Sequence, residues 1–125
     1  MSTFVEVLEV QGTLDNQKGK VLLPVAEALA TESTAEVILL DLDRVKFIDS
    51  AGLGSLVKVL KVTEAHGKRL MLCGVKSQVA MLLQLTRMNG LFEILDDRLA
   101  VATALDKELS SGRQVTPERF NSRVV

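Results

Sequence analysis

One segment, FIDSAGLG at residues 47–54, holds the side chains of this sequence that are best placed to do chemistry. A carboxylate at Asp49 is followed by a hydroxyl at Ser50, and glycines stand at Gly52 and Gly54. These residue types suit four uses: a helix cap, a phosphate-binding turn, a catalytic nucleophile and a site of covalent modification. The rest of the sequence bears on the choice between them.

A nucleophilic serine needs a base within hydrogen-bonding distance. The single histidine, His66, falls at the other end of the helix that we predict after Ser50, roughly 20 Å away at 1.5 Å per residue. The pattern G-x-S-x-G is absent as well, because Ile48 stands where its first glycine should be. The sequence therefore argues against a serine hydrolase.

Metal and nucleotide chemistry also lack the residues they need. A zinc site requires about four Cys, His or carboxylate ligands, and the only cysteine, Cys73, lies inside a predicted strand, so we interpret it as a core residue. The pattern G-x-G-x-x-G fails because Val57 replaces its third glycine, and no G-K-[ST] sequence is present. No metal or cofactor is predicted. Binding of a small ligand above the strand ends of an α/β sheet stays open as an alternative.

The composition describes one domain with an aliphatic core. The chain has 125 residues, of which 47% are hydrophobic. A formal net charge of −1, with both signs spread along the chain, gives no basic stripe for nucleic acid or an anionic membrane. There is no signal-peptide pattern, no apolar run of about 18 residues and no second cysteine for a disulfide. We predict a cytoplasmic protein that binds neither nucleic acid nor membrane.

The elements that must position residues 47–54 are predicted from hydrophobic patterns. Short apolar or alternating runs predict four strands, at residues 3–12, 36–42, 69–75 and 91–96. Helical spacing predicts helices at residues 53–67, 76–90 and 97–110, and an earlier one that begins between Lys20 and Leu23, since Pro24 suits only a first turn. Ser77 is the predicted N-cap of the third helix. This alternation indicates the α/β class, with a mostly parallel sheet of about four strands packed against about four helices.

The domain is predicted to cover residues 1–109. Residues 110–125 show no periodicity, and we predict a tail that is disordered or docked on a partner.

The helix after the segment divides into two faces when it is projected at 100° per residue. The predicted buried stripe consists of Leu53, Leu56, Val57 and Leu60. The predicted exposed side consists of Ser50, Gly54, Lys58 and Lys61, with Val59 and Val62 as an apolar docking edge. Ser50 is predicted to cap this helix. The small residues Ala51, Gly52 and Gly54 would let another protein approach the backbone closely.

In this setting FIDSAGLG resembles the signature of the STAS domain, and more narrowly that of the bacterial anti-sigma-factor antagonists. The similarity extends to VQGTLD, where Asp15 matches an aspartate frequent in that family, and to RLMLCGV and MNGLFEIL in the later half. It covers about residues 4–108. The resemblance implies a small α/β sheet packed against helices and a protein that is not an enzyme.

The resemblance also implies a partner-switching mechanism. The unmodified protein would bind an anti-sigma factor that is itself a serine kinase, and the sigma factor would be released. The kinase would use ATP to phosphorylate Ser50, and a metal-dependent serine phosphatase would reverse the modification. Ala51 leaves Ser50 as the only hydroxyl at the centre of the motif. The residues expected to bind the partner are Asp15, Asp49, Ser50, Ala51, Gly52, Leu53, Gly54, Lys58 and Lys61.

One departure from the family and two other functions complete the sequence-based expectations. The family usually begins with a β-hairpin, whereas only one strand is visible before Asp15, so an edge strand is missing or truncated. The first alternative is a STAS interaction module of a transporter or signalling scaffold without sigma regulation. The second is a nucleotide or small-molecule sensor.

Overall fold

A computed structural model describes residues 5–109 and 115–125, in which strands and helices alternate. The first half consists of β1 (Val5–Leu14), α1 (Asn16–Glu32), β2 (Val37–Ile48) and α2 (Ser50–Ala65). The second half consists of β3 (Arg69–Cys73), α3 (Ser77–Leu85), β4 (Glu93–Leu95), α4 (Arg98–Leu109) and β5 (Asn121–Val124). The predicted α/β class is confirmed.

The strands form one parallel sheet in the order β4-β3-β2-β1-β5. One core lies between the sheet and α1, α2 and α3, and includes Leu8, Leu40 and Leu56. A second, smaller core lies under α4 on the opposite face, and includes Leu39 and Val101. Because β2 is covered on both faces, its first half is a continuous apolar run, as predicted for a central parallel strand.

Helix α1 begins earlier than predicted, at Asn16, and Pro24 lies inside it. The residue before it, Asp15, is in an extended conformation, and its side chain accepts a hydrogen bond from the backbone N–H of Lys18 at 2.9 Å. Asp15 is therefore an N-cap. Pro24 removes the N–H that would bond to the carbonyl of Lys20, and both residues are exposed, where water can hydrate that carbonyl.

The segment predicted as a tail supplies the fifth strand. β5 pairs in parallel with β1, from Glu6 opposite Asn121 to Glu9 opposite Val124, and residues 110–114 lie outside the described part of the chain. Glu6 is only 5% exposed, and its carboxylate accepts hydrogen bonds from the side chains of Asn121 and Ser33. Thus β5 occupies the edge beside β1, where the sequence shows no hairpin strand.

Candidate functional site

The FIDSAGLG segment connects β2 to α2, and Asp49 rather than Ser50 caps the helix. The Asp49 carboxylate accepts a hydrogen bond from the backbone N–H of Gly52 at 2.8 Å. Ser50 is the first residue of α2 and is exposed. The prediction that Ser50 is the cap is therefore wrong, because the carboxylate of Asp49 makes the capping hydrogen bond. The Ser50 hydroxyl is left outside the capping interaction.

The end of β1 holds the start of α2 from one side. The backbone N–H of Asp49 donates to the carbonyl of Leu14 at 3.3 Å. A Cβ atom added at Gly52 would lie 2.6 Å from the carbonyl carbon of Leu14 and closer still to its oxygen. Gly52 is thus required for close packing of the helix against β1, not for access by a partner. A Cβ at Gly54 would meet no atom within 4 Å, so only the second glycine faces open space.

The two faces of α2 follow the predicted pattern in part. Of the predicted buried stripe, Leu53 and Leu56 are buried, and Val57 and Leu60 are partly buried against the same core. The residues exposed on α2 near its start and along one side are Ser50, Ala51, Gly54, Lys58 and Lys61.

Four residues of α2 are less exposed than their predicted roles in partner binding require. Val59 is 0% exposed, so it belongs to the core and is not part of an apolar docking edge, and Val62 is half-buried. Gly52 and Leu53 were expected on the partner surface, but both are buried, with Leu53 only 4% exposed. The accessible surface therefore excludes Gly52 and the side chain of Leu53.

The N-terminal ends of α1 and α2 lie side by side. Asp15 caps α1 directly after Leu14, whose carbonyl binds the backbone of Asp49. Further along, a Cβ at Gly19 would lie 2.8 Å from the Cβ of Ser55, so the two helices pack closely there. We call the half-buried Asp15 and Asp49, together with the exposed α2 residues Ser50, Ala51, Gly54, Lys58 and Lys61, the capped surface.

No histidine accompanies the serine on the capped surface. His66 lies at the opposite end of α2, with its Nδ1 atom 2.9 Å from the carbonyl oxygen of Val62. The thiol of Cys73 is buried, and burial, followed by the nearby Asp41 carboxylate, raises the pKa of Cys73 to about 12. Among residues 5–109 and 115–125, no cluster of His, Cys, Asp or Glu side chains could hold a metal ion. The arrangement leaves Ser50 exposed at the protein surface.

A second polar region lies beside the middle of β2, where β3 and β4 end, and sequence reasoning missed it. A cleft of about 400 Å³ is lined in part by Asp41, Asp43 and Arg98. Arg98 pairs with Asp41 at 2.7 Å and with Glu9 at 3.2 Å. A hydrogen bond from Lys76 holds the pKa of Asp43 below its ordinary value. Asp41, Asp43 and Arg98 are thus paired within the protein, with Glu9 and Lys76 as their further partners.

The described residues contain no helix with both the length and the apolar character needed to cross a membrane. Comparison with family models gives one match, described as the STAS domain, over residues 5–102.

Several solved structures share the fold. A sulfate transporter family protein from Wolinella succinogenes is 24% identical with a TM-score of 0.71, and the match covers 83% of this chain and 88% of that one. The STAS domain of a SulP transporter from Vibrio cholerae is 18% identical, with a TM-score of 0.68 and coverage of 86% and 85%. The anti-sigma factor antagonist SpoIIAA in its unphosphorylated form is 17% identical, with a TM-score of 0.59 and coverage of 82% and 88%.

SpoIIAA, described as a Bacillus cell fate determinant, is also matched in its phosphorylated form, at 17% identity and a TM-score of 0.57, over 81% of this chain and 88% of that one. Identities of this size establish a shared fold. Both anti-sigma-factor antagonists and transporter domains thus have the backbone arrangement seen here.

Proposed function

The chain belongs to the STAS domain family, and from that premise we propose that it is an anti-sigma-factor antagonist switched by phosphorylation of Ser50. The unmodified protein binds an anti-sigma factor that is a serine kinase, and the sigma factor is released. The kinase transfers phosphate from ATP to Ser50, and a metal-dependent serine phosphatase removes it. The protein acts by binding and catalyses no reaction, in keeping with the general use of STAS domains as interaction modules, and we place it in the cytoplasm.

The observation that carries this proposal is that Asp49, and not Ser50, caps α2. Asp49 makes the capping hydrogen bond, at 2.8 Å to Gly52. Ser50 is exposed at the first position of the helix. A phosphate can therefore be added to Ser50 while the cap stays intact. A serine that was itself the cap would lose that role on modification.

The electrostatics of the helix ends favour a phosphate at this position. Phosphorylation adds about −1.5 to −2 charge, and an anion at a helix N-terminus is stabilised by roughly 0.3–1 kcal/mol. The N-terminus of α1 lies next to that of α2, which adds a second set of N–H dipoles. Modification is expected to leave the fold intact and to change the surface.

The same charge opposes partner binding. The phosphate would join the carboxylates of Asp15 and Asp49 on one small surface, and a partner that covers Ser50 would have to bury the added charge. Burying an uncompensated charge costs several kcal/mol. Since each 1.4 kcal/mol is tenfold in affinity, we expect a loss of about a hundredfold or more.

The test is phosphorylation by candidate anti-sigma kinases from the same organism. The full-length protein is incubated with ATP and each kinase, and the modified residue is located by mass spectrometry. We expect phosphate on Ser50 in wild type and none in Ser50→Ala. Ser55→Ala is the matched control, because Ser55 lies one turn later in α2 and donates its hydroxyl to the carbonyl of Ala51. Absence of phosphate on Ser50 with every candidate kinase would overturn the proposal.

The second candidate is a STAS module that serves a transporter or a signalling scaffold. The observation in its favour is the higher TM-score with the sulfate transporter family protein, 0.71, than with SpoIIAA, 0.59. In that case Ser50 would be a surface residue only, and Ser50→Asp would not change partner binding. Co-purification with a transporter, together with no transfer of phosphate from any candidate kinase, would favour this function.

A further inference from the structure

β2 extends well beyond its neighbour β3. The last pair between these strands is Asp41 with Cys73, whereas β2 continues to Ile48. On its other side β2 is paired with β1 as far as Ile48, opposite Leu14. The final residues of β2, which lead directly into Asp49, therefore lack a neighbouring strand on the β3 side.

The polar backbone atoms of Ile48 point to that open side. Successive residues of a strand between two neighbours direct their N–H and C=O groups to opposite edges. The N–H of Asp49 binds the carbonyl of Leu14 in β1, so the groups of Ile48 face away from β1. Left alone, both would be polar groups without a partner at the edge of the core.

The side chain of Gln78 fills this position. Its Oε1 atom accepts from the N–H of Ile48 at 2.8 Å, and its Nε2 atom donates to the carbonyl of Ile48 at 2.8 Å. A side-chain amide both donates and accepts, as a backbone peptide group does. Gln78, from the second position of α3, thus takes the place of the missing strand.

The start of α3 is strained, which indicates that this contact is held by the surrounding structure. Ser77, the first residue of α3, has a φ of +53°, in the left-handed region that is unfavourable for a residue with a side chain. The predicted N-cap role of Ser77 is wrong: Lys76 occupies that position without a side-chain capping bond, and its ammonium pairs with Asp43 of β2 at 2.7 Å. Two anchors, Lys76 and Gln78, therefore tie the first turn of α3 to β2.

We propose that Gln78 is the positioning residue of the Ser50 segment. Leu14 holds Asp49 from the β1 side, Gln78 holds Ile48 from the α3 side, and together they set the direction in which α2 begins. The effect of Gln78 on phosphorylation rests on the proposed function. The effect of Gln78 on the conformation of the segment does not.

Amide hydrogen exchange of the full chain, followed by NMR, tests the conformational part. Gln78→Ala removes the hydrogen-bond acceptor of the Ile48 N–H directly, so the amide of Ile48 is not informative. The informative amides are those of Asp49, which donates to the carbonyl of Leu14, and of Gly52, which donates to the side chain of Asp49. Loss of two hydrogen bonds predicts exchange about ten- to a hundredfold faster at these amides. Gln84→Ala is the matched control, because Gln84 is an exposed residue of the same helix. Unchanged protection of Asp49 and Gly52 in Gln78→Ala would overturn the proposal.

Gln78→Glu tests whether Gln78 acts through its two hydrogen bonds to Ile48 or only by filling space. The introduced carboxylate can accept from Ile48 N–H but cannot donate to its carbonyl, whereas the protonated acid can do both. We expect the Gly52 amide shift of Gln78→Glu to differ from wild type at pH 8 and to return toward it as the pH falls to 4. Gln78→Ala, measured over the same range, is the control for every pH effect that does not come from residue 78, since it keeps the native charged groups, including Asp43, Lys76 and Asp49. A Gln78→Glu shift that tracks Gln78→Ala at every pH would contradict the positioning role.

The functional consequence is measured with a kinase that phosphorylates wild-type Ser50. We expect Gln78→Ala to raise KM about tenfold with a smaller change in kcat, since the hydroxyl is retained but its presentation is loosened. Failure of all kinases on wild type would overturn the proposed function alone. Unchanged KM together with altered Gly52 exchange would overturn the link between Gln78 and recognition.

Discussion

The contrast between Gly52 and Gly54 gives a prediction with a magnitude that can be worked from the structure. A methyl group at Gly52 would lie 2.6 Å from the carbonyl carbon of Leu14, and ordinary contacts begin at 3.4 Å. Helix α2 and the end of β1 would have to move apart by about 0.8 Å or more. Overpacking of this kind costs about 1–3 kcal/mol, and loss of the Asp49–Leu14 hydrogen bond costs about 0.5–1.5 kcal/mol. Replacing a helical glycine by alanine returns about 1 kcal/mol, which leaves a net loss of about 2 kcal/mol for Gly52→Ala.

Gly54→Ala is the matched variant, since the same methyl group would meet no atom within 4 Å. It keeps the gain of up to about 1 kcal/mol in helix propensity. The difference in unfolding free energy between the two variants is therefore about 3 kcal/mol, or roughly 10 °C in Tm for a domain of this size. Thermal and urea unfolding would be followed by far-UV circular dichroism, because the chain has no Trp or Tyr for fluorescence. Equal midpoints for the two variants would refute the close contact between Gly52 and Leu14.

The remaining predictions concern the serine, the first cap and the last strand. Ser50→Asp is expected to stay folded and to bind a candidate anti-sigma kinase about a hundredfold more weakly than Ser50→Ala in calorimetry; equal affinities, or an unfolded Ser50→Asp, would contradict the surface-charge mechanism. Asp15→Ala is expected to lose about 1 kcal/mol of stability in urea unfolding, which Asp15→Asn largely retains; an unchanged midpoint would argue against the cap. Asn121→Ala leaves the buried carboxylate of Glu6 with fewer donors and is expected to cost about 1–3 kcal/mol, whereas Ser122→Ala, at an exposed neighbouring position of β5, is expected to cost less than about 0.5 kcal/mol. Similar losses for the two β5 variants would show that the Glu6 contact contributes nothing specific.

The prediction for Asp15 differs from the one that the sequence alone supports. From its match to the family, Asp15 is expected on the partner surface, where its loss would weaken binding and leave stability nearly unchanged. The structure adds the capping bond to Lys18. We therefore expect Asp15→Ala to lower stability, and Asp15→Asn separates that loss from any effect of the negative charge on partner binding.

Hydrophobic periodicity was enough to predict the class of fold and the exposed side of α2. An apolar run such as residues 36–42 can be buried only if it is covered on both faces, and helical spacing places Ser50, Gly54, Lys58 and Lys61 on one side whatever the helix packs against. The buried face of that helix is wider than predicted, so Val59, predicted at the edge, lies in the core. The predicted start of α1 is wrong because Pro24 does not lie in the first turn. The Asp15 cap begins the helix earlier, and the exposed position of Lys20 and Pro24 allows proline inside it.

The features that sequence reasoning missed depend on residues far apart in the chain. β5 shows no period of its own, because its side chains are exposed and it is held by backbone pairing with β1 and by the Glu6 carboxylate. Gln78 reads as an ordinary polar residue near the start of a helix, and its role arises only because β3 ends early and leaves Ile48 without a neighbour. Local patterns determine which residues are apolar, helical or exposed, since these properties depend on near neighbours. The carbonyl of Leu14 against Gly52 and the amide of Gln78 against Ile48 are set by strand length and helix crossing, which only the assembled sheet defines.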